Sequence, residues 1–289
     1  MEAYTDFASV YDTFMDETPY EEWAEFLHEL IKEYGISRPV NRTIQKAGDS
    51  KSVAETEPVS EDDSLEIALD SEKNLVLDLG CGTGTLTELL YRKGYDMIGV
   101  DYSQEMLNIA LAKKEKSGSD ILYLCQDMRE LDLYSTIGTV ISACDSVNYL
   151  LEEEEVIETF RLINNYLYPG GVFIFDFNTV YKYEQVIGDT TIAENREDCS
   201  FIWDNFYHEE ECINEYDLTI FVKEGKEGLF RKFTETHYQR GYTLEEMKSF
   251  VEQAGLEFIK AIDADTHKAP GATSERIYII AREQGKQSV

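Results

Sequence analysis

The sequence predicts an α/β protein, a mostly parallel sheet with helices between its strands, carrying a small inserted antiparallel sheet. Three observations predict it. The apolar run Leu75-Val76-Leu77-Asp78-Leu79 stops at a turn with glycine at every second position, Gly80, Gly82 and Gly84, as a buried parallel strand does when it turns into a helix. Strand-like runs and amphipathic stretches then alternate as far as Phe177. Between about Tyr181 and Gly241 that alternation gives way to runs rich in aromatic and β-branched residues.

The elements follow in order. Tyr4, Phe7, Tyr11 and Phe14 form an aromatic set too irregular for one helix face; they either pack on the core or close over a ligand. Thr18-Pro19-Tyr20-Glu21 reads as a capping box with proline at the first helical position. Trp23, Phe26, Leu27, Leu30, Ile31 and Tyr34 then recur at helical steps, and Gly35 ends the helix. From about Ser37 to Ser71 the chain turns to Ser, Glu, Asp, Lys and Thr, a composition that buries too little apolar surface to offset the entropy of ordering it. The expectation there is a mobile surface insertion with a short helix over Leu65 to Leu69.

After the glycine turn, Leu86, Leu89 and Leu90 mark a helix ended by Gly94, and Asp96 to Asp101 is the second strand. Asp101 falls about twenty residues past the first glycine, the spacing at which an acid reaches ribose hydroxyls. Ser103 caps a helix carrying Met106, Leu107 and Ala110. Ile121 to Cys125 is a third strand, leading into Gln126-Asp127-Met128, and Thr139 to Cys144 is a fourth. The run Asp145-Ser146-Val147-Asn148-Tyr149-Leu150 then sets polar groups at the carboxyl edge of the sheet; Asp145 and Asn148 are either site residues or turn and cap residues. An amphipathic helix over Glu152 to Tyr168 stops at Pro169-Gly170-Gly171, and Val172 to Phe177 is the fifth strand. The insertion is read as three strands, Phe201 to Tyr207, Tyr216 to Val222 and Phe230 to Tyr238, with a turn at Glu224 to Gly228. Thr243-Leu244-Glu245-Glu246 is a second capping box, and Leu256 to Ile262 and Arg276 to Ala281 close the fold.

Composition narrows the function. With 58 acids against 26 bases the formal charge is −32, which disfavours a phosphate backbone or an anionic membrane as partner. Five cysteines without a C-x-x-C pair suggest buried thiols in a reducing compartment, and no metal-ligand set is expected. No apolar stretch is long enough to span a membrane, and the start MEAYTDFASVYD has no signal-peptide pattern. The expectation is a cytoplasmic protein.

The dinucleotide fingerprint needs a small residue where this chain has Thr85. With G-x-G-x-G preceded by Asp78, the sequence instead resembles the class I S-adenosylmethionine-dependent methyltransferases. The Val10-Tyr11-Asp12 pattern, the Ser146 to Leu150 run and Glu235-Thr236-His237 are similar to small-molecule members: bacterial N-methyltransferases of nucleotide-linked amino sugars and the YqeM-like group. Met15 stands where the sugar enzymes carry a further aromatic residue.

The resemblance implies a Rossmann-like seven-stranded sheet of order 3-2-1-4-5-7-6 with its last strand antiparallel. It implies S-adenosyl-L-methionine as cofactor, held by Tyr11, Asp78, Gly80, Cys81, Gly82, Asp101, Tyr102, Gln126, Asp127, Met128 and Cys144. In this scheme Asp127 receives the adenine amino group, and the backbone N–H of Met128 meets a ring nitrogen. Residues 1–36 cover the cofactor, 37–72 are the acidic insertion, 73–180 bind the cofactor, 181–241 face the acceptor and 242–289 complete the core. The implied activity is N- or O-methylation of a small molecule, with no nucleic-acid or membrane partner. Such an enzyme mainly holds the nucleophile in line about 3 Å from the methyl group. His237, Tyr11 and Asp145 are the candidates for removing its proton. A cofactor-binding protein acting through partners, a nucleotide-linked oxidoreductase, and a protein or RNA methyltransferase remain as alternatives.

Overall fold

A computed structural model of the chain describes residues 7–40, 71–225 and 228–285. Tyr4, most of the acidic stretch with its expected helix over Leu65 to Leu69, and Lys226 and Glu227 of the expected turn lie outside them. The described chain begins with α1 (Ala8–Phe14) and α2 (Tyr20–Tyr34), and then β1 (Leu75–Leu79), α3 (Thr85–Arg92), β2 (Asp96–Asp101), α4 (Gln104–Ser117), β3 (Leu122–Cys125) and β4 (Ile137–Ser142) alternate. There follow α5 (Glu153–Tyr166) and β5 (Leu167–Asn178), the inserted strands β6 (Thr191–Asn195), β7 (Cys199–His208), β8 (Ile213–Glu224) and β9 (Leu229–Arg240), and finally α6 (Leu244–Gln253), β10 (Leu256–Asp263) and β11 (Arg276–Glu283).

The main sheet runs β3-β2-β1-β4-β5-β11-β10. Only β11 opposes its neighbours, pairing antiparallel with both β5 and β10, which is the expected order with β11 as the seventh strand. Alternate residues of each central strand feed opposite faces. Phe173, Phe175 and Phe177 of β5 join Val156, Phe160 and Ile163 of α5 and Met247, Phe250 and Val251 of α6. Val172 and Ile174 join Leu27, Leu30 and Ile31 of α2 and Leu86, Leu89 and Leu90 of α3. Burial on both faces is why these strands read as continuous apolar runs.

Most elements lie where the sequence put them, and the departures have local causes. The box at Thr18 does not form: Pro19 takes the N-cap place at φ −78°, ψ 56° with no side-chain cap bond, so α2 starts at Tyr20. The box at Thr243 does form, with both reciprocal bonds to Glu246. β4 ends two residues early because Cys144 and Asp145 turn into the left-handed region. The inserted sheet has a fourth strand, β6, that the sequence reading missed; its residues are mostly exposed, so no alternating apolar pattern marks it. Cys81 and Cys199 are buried, but Cys125 is exposed, since β3 forms the edge of the main sheet. All five cysteines are free. Among the described residues no helix is long and apolar enough to cross a membrane.

Candidate active site

Strand order reverses between β1 and β4, and at such a switch point an open α/β sheet leaves a crevice at the carboxyl ends of its strands. The glycine turn sits there. Gly80 (φ 79°) and Gly82 (φ 53°) are both left-handed, a conformation open to glycine at little cost. A Cβ on Gly80 would stand 2.4 Å from Ser146 Oγ, whereas one on Gly82 would meet nothing within 4 Å. The first glycine therefore lets two loops touch, and the second presents bare backbone to open space, as a cradle for a ligand requires. Asp101, at the end of β2, holds the turn: Gly82 N donates to its Oδ2 at 2.7 Å and Ser103 N to its Oδ1 at 2.8 Å. Burial pushes its carboxyl above the ordinary range.

The wall opposite is the segment after β4. Cys144 (φ 63°) and Asp145 (φ 53°) are consecutive left-handed residues, a conformation costing roughly 1–2 kcal/mol per residue. The fully buried Asp176 offsets that cost by accepting both backbone N–H groups, at 3.1 and 2.7 Å. Asp145 Oδ2 accepts Gln239 Nε2 at 2.6 Å, and burial raises its carboxyl. Asn148, fully buried, donates to the carbonyls of Asn178 and Arg240 and accepts Asn178 N. Asn148 thus ties this segment to the ends of β5 and β9.

A cavity of about 550 Å³ lies between these walls. Of the residues expected to bind the cofactor, Tyr11, Gly80, Gly82, Asp101, Tyr102, Gln126, Asp127, Met128 and Cys144 line it. Asp78 and Cys81 line a smaller adjoining space of about 40 Å³ together with Tyr11, Tyr20 and Trp23. Asp78 accepts Thr87 Oγ1 at 2.6 Å, and burial raises its carboxyl to about 7. Burial likewise pushes the Cys81 thiol up. Gln126 is engaged as a loop clasp, its amide exchanging two bonds with the main chain of Asp132 at 3.0 and 3.1 Å. Asp127 accepts Arg129 N at 2.9 Å and pairs with the Arg129 guanidinium at 2.6 Å, which holds its carboxyl below the usual range.

Helix α1 lies along one side of the cavity. Tyr11 lines the cavity, while Phe7, Val10 and Phe14 pack on Cys199, Leu218 and Ile220 of the inserted sheet. Asp12 latches the helix to the glycine turn, accepting Thr83 Oγ1 at 2.6 Å and pairing with Lys113 at 2.7 Å. Asp16 pairs with Arg196 of the insertion at 2.6 Å.

Two of the three base candidates do not line either cavity. Asp145 is occupied as described, and His237 is buried in the inserted sheet, its ring flat against Tyr216 at 4.8 Å. The sequence reading overlooked Ser146, Tyr149 and Arg129, which do line the larger cavity, as well as the supporting Asp12 and Asp176. Asp12 and the Ser146–Tyr149 stretch stood inside the quoted motifs; nothing in the sequence distinguished Asp176 from any strand-end acid.

Residues 76–171 match the family described as "Methyltransferase domain". The chain is 33% identical over 279 residues to a Geobacillus protein named as a methyltransferase, covering 96% of this chain and 99% of that one. To the YqeM protein of Bacillus subtilis, also named as a methyltransferase, it is 32% identical over 280 residues, 96% of each chain. Among solved structures it is similar to an S-adenosylmethionine-dependent methyltransferase from Clostridium acetobutylicum, with a TM-score of 0.77, 26% identity, and coverage of 98% of this chain and 100% of that one. The glycine cradle, the acid ending β2 and the crevice at the switch point suit that cofactor. The chain belongs to the YqeM-like S-adenosylmethionine-dependent methyltransferases.

Proposed function

We propose that the protein methylates a nitrogen or oxygen of a small-molecule acceptor held in the larger cavity. The observation that carries this is the size and lining of that cavity: about 550 Å³, floored by the glycine turn and bordered by Tyr11 of α1 and by Cys144, Ser146, Tyr149 and Leu150. A space of that size takes a cofactor and a compact acceptor rather than a folded macromolecule, and the charge of −32 supports the same choice.

The residues divide the work by position. The Gly80–Gly82 backbone, Cys81 and Asp78 would hold the methionine end, the acid facing its ammonium. Asp101 would accept from the ribose hydroxyls through the lone pairs that Gly82 and Ser103 leave free. Gln126, Asp127, Met128 and Tyr102 would frame the adenine, and Tyr11 and Cys144 would border the reacting end. The cofactor supplies an already activated methyl group on a sulfonium. What remains for the chain is to orient the acceptor, exclude water and move one proton. Residues 1–36 serve as the cover, 73–180 with 242–289 as the cofactor core, and 181–241 as the acceptor side. Five free thiols fit a reducing, cytoplasmic setting.

Calorimetry of the full chain with S-adenosylhomocysteine and, separately, NAD tests the cofactor assignment. Binding of the first alone is expected, and preference for NAD would overturn it. Labelled cofactor incubated with a metabolite extract then identifies the acceptor. Label incorporated only into protein or RNA would refute the small-molecule reading.

A further inference from the structure

With a formal charge of −32, the chain still sets two cations together where the insertion leaves the main sheet. Arg276, the first residue of β11, lies opposite Asn178, the last of β5. Lys182, just beyond β5, donates from Nζ to Asn178 Oδ1 at 2.9 Å. Both cations act on the segment after β4: burial raises the Cys144 thiol and the Asp145 carboxyl, and Lys182 and Arg276 oppose that rise.

Arg276 is held in place without being hydrogen-bonded. Its guanidinium lies over the Trp23 ring, 4.5 Å from the centroid, and its side chain is 16% exposed. Nη1 stands 3.8 Å from Asp176 Oδ2, beyond hydrogen-bond reach. An arginine that served only to neutralise Asp176 would take the short, two-pronged geometry of such pairs. The oxygens of Asp176 go instead to Cys144 N and Asp145 N, and Asp145 Oδ2 goes to Gln239. Among the described residues none accepts a hydrogen bond from the guanidinium, and none of its nitrogens is cut off from the surface as the unpaired Arg240 Nε is. A planar fork of five N–H donors, stacked on an indole and open at its edge, matches an oxyanion.

We infer that the acceptor carries an oxyanion, a carboxylate or a phosphate, and that Arg276 binds it with Lys182 as the second cation; this rests on the methyl-transfer reading of the cavity. Trp23 links the two ends of such an acceptor. It lines the small cavity with Tyr11 and Cys144, and its ring carries the guanidinium. The reacting nitrogen or oxygen lies toward Tyr11 and Cys144, and the acid group toward Arg276. Arg276 moves no proton, because its guanidinium stays charged. It fixes the acceptor's orientation and rejects neutral analogues, which leave the fork unpaired.

Labelled cofactor, a metabolite extract and the full chain test this, with calorimetry alongside. The labelled wild-type product is expected to show the oxyanion in negative-ion mass spectrometry, loss of carbon dioxide marking a carboxylate and a phosphate fragment ion marking a phosphoryl group. A labelled small molecule with neither would overturn the inference. Arg276→Lys keeps a cation beside Asp176 and loses the fork. It is expected to lose at least about tenfold in incorporation while binding S-adenosylhomocysteine within about twofold of wild type. A smaller loss, or a drop in S-adenosylhomocysteine affinity beyond that range, would each overturn the inference, the second by placing the guanidinium on the cofactor. Lys182→Gln leaves the Arg276–Asp176 pair whole and decides the matter where Arg276→Lys does not fold. It is expected to lower incorporation at least about threefold with S-adenosylhomocysteine binding unchanged, and a smaller effect would count against the inference. Failure of the wild type to bind S-adenosylhomocysteine, or to label any small molecule, is a separate result: it would remove the methyl-transfer reading, and this inference with it.

Discussion

Gly80 and Ser146 approach so closely that a single added methyl group on the glycine would stand 2.4 Å from the serine hydroxyl. The contact joins the turn after β1 to the segment after β4, and Ser146 Oγ is directed to the carbonyls of Gly80 and Ala143 at 3.4 and 3.1 Å. Gly80→Ala meets both this clash and a φ of 79°. It is expected to lower stability by about 1–3 kcal/mol and to weaken S-adenosylhomocysteine binding more than tenfold. Thermal melts with calorimetry check both, and wild-type affinity in the variant would mean that the turn does not border the ligand.

Asp101 serves two backbone donors before any ligand arrives. Asp101→Ala orphans both and removes the ribose acceptor, at about 1.5–3 kcal/mol for a charged hydrogen-bonding group, or roughly tenfold to a hundredfold in affinity. Calorimetry with S-adenosylhomocysteine decides, and unchanged binding would refute the proposed cofactor position.

Asp78 makes stability depend on pH in an unusual direction for an acid. Its carboxyl titrates at about 7 in the folded chain, against about 3.9 in an unfolded one. Between those values the folded chain holds the extra proton, so stability falls as pH rises through the window. Asp78→Asn is expected to match wild type near pH 4 and to exceed it at pH 8 by on the order of 2–4 kcal/mol. Its affinity for S-adenosylhomocysteine is expected to be lower, and that of the wild type to rise with pH through about 7. Urea denaturation at the two pH values tests the first part and calorimetry the second.

The latch at Asp12 bears on release. Asp12→Asn loses the ion pair with Lys113 while Thr83 keeps an oxygen to donate to. For so exposed a pair the cost is about 0.2–1 kcal/mol, so S-adenosylhomocysteine is expected to leave up to about fivefold faster with the melting temperature little changed. Trp23 lines the small cavity, which makes stopped-flow tryptophan fluorescence a direct readout. An unchanged dissociation rate would show that α1 does not gate the site.

Deleting Asp49 to Ser64 is expected to leave S-adenosylhomocysteine affinity within a few-fold of wild type, since that composition cannot build a core. A loss beyond tenfold would place the stretch against the site.

Local signals carried most of the fold. β2 lies at its expected bounds, because an apolar run between Gly94 and Ser103 has one way to be buried. Thr243 and Thr18 head similar four-residue patterns, yet only the first caps its helix; the proline after Thr18 takes the cap place itself. β6 escaped because an exposed edge strand needs no periodic apolar face. In the site, residues sitting on strand ends were legible by spacing. Those selected by distant partners were not: Tyr149 meets His237 across 88 positions, and Asp176 stabilises a strained pair 31 and 32 positions earlier.

The ties that Asn148 and Gln239 make from either side of the boundary between the main domain and the inserted sheet bear on how this enzyme type diversifies. A graft that exchanged only residues 181–241 would part Asp145 from the Gln239 side chain and Tyr149 from His237, while Asn148 would still meet a backbone carbonyl at position 240. The exchangeable cassette is therefore discontinuous, the sheet together with the segment Cys144 to Leu150. Chimeras built on that split module should remain folded where simple loop transplants fail.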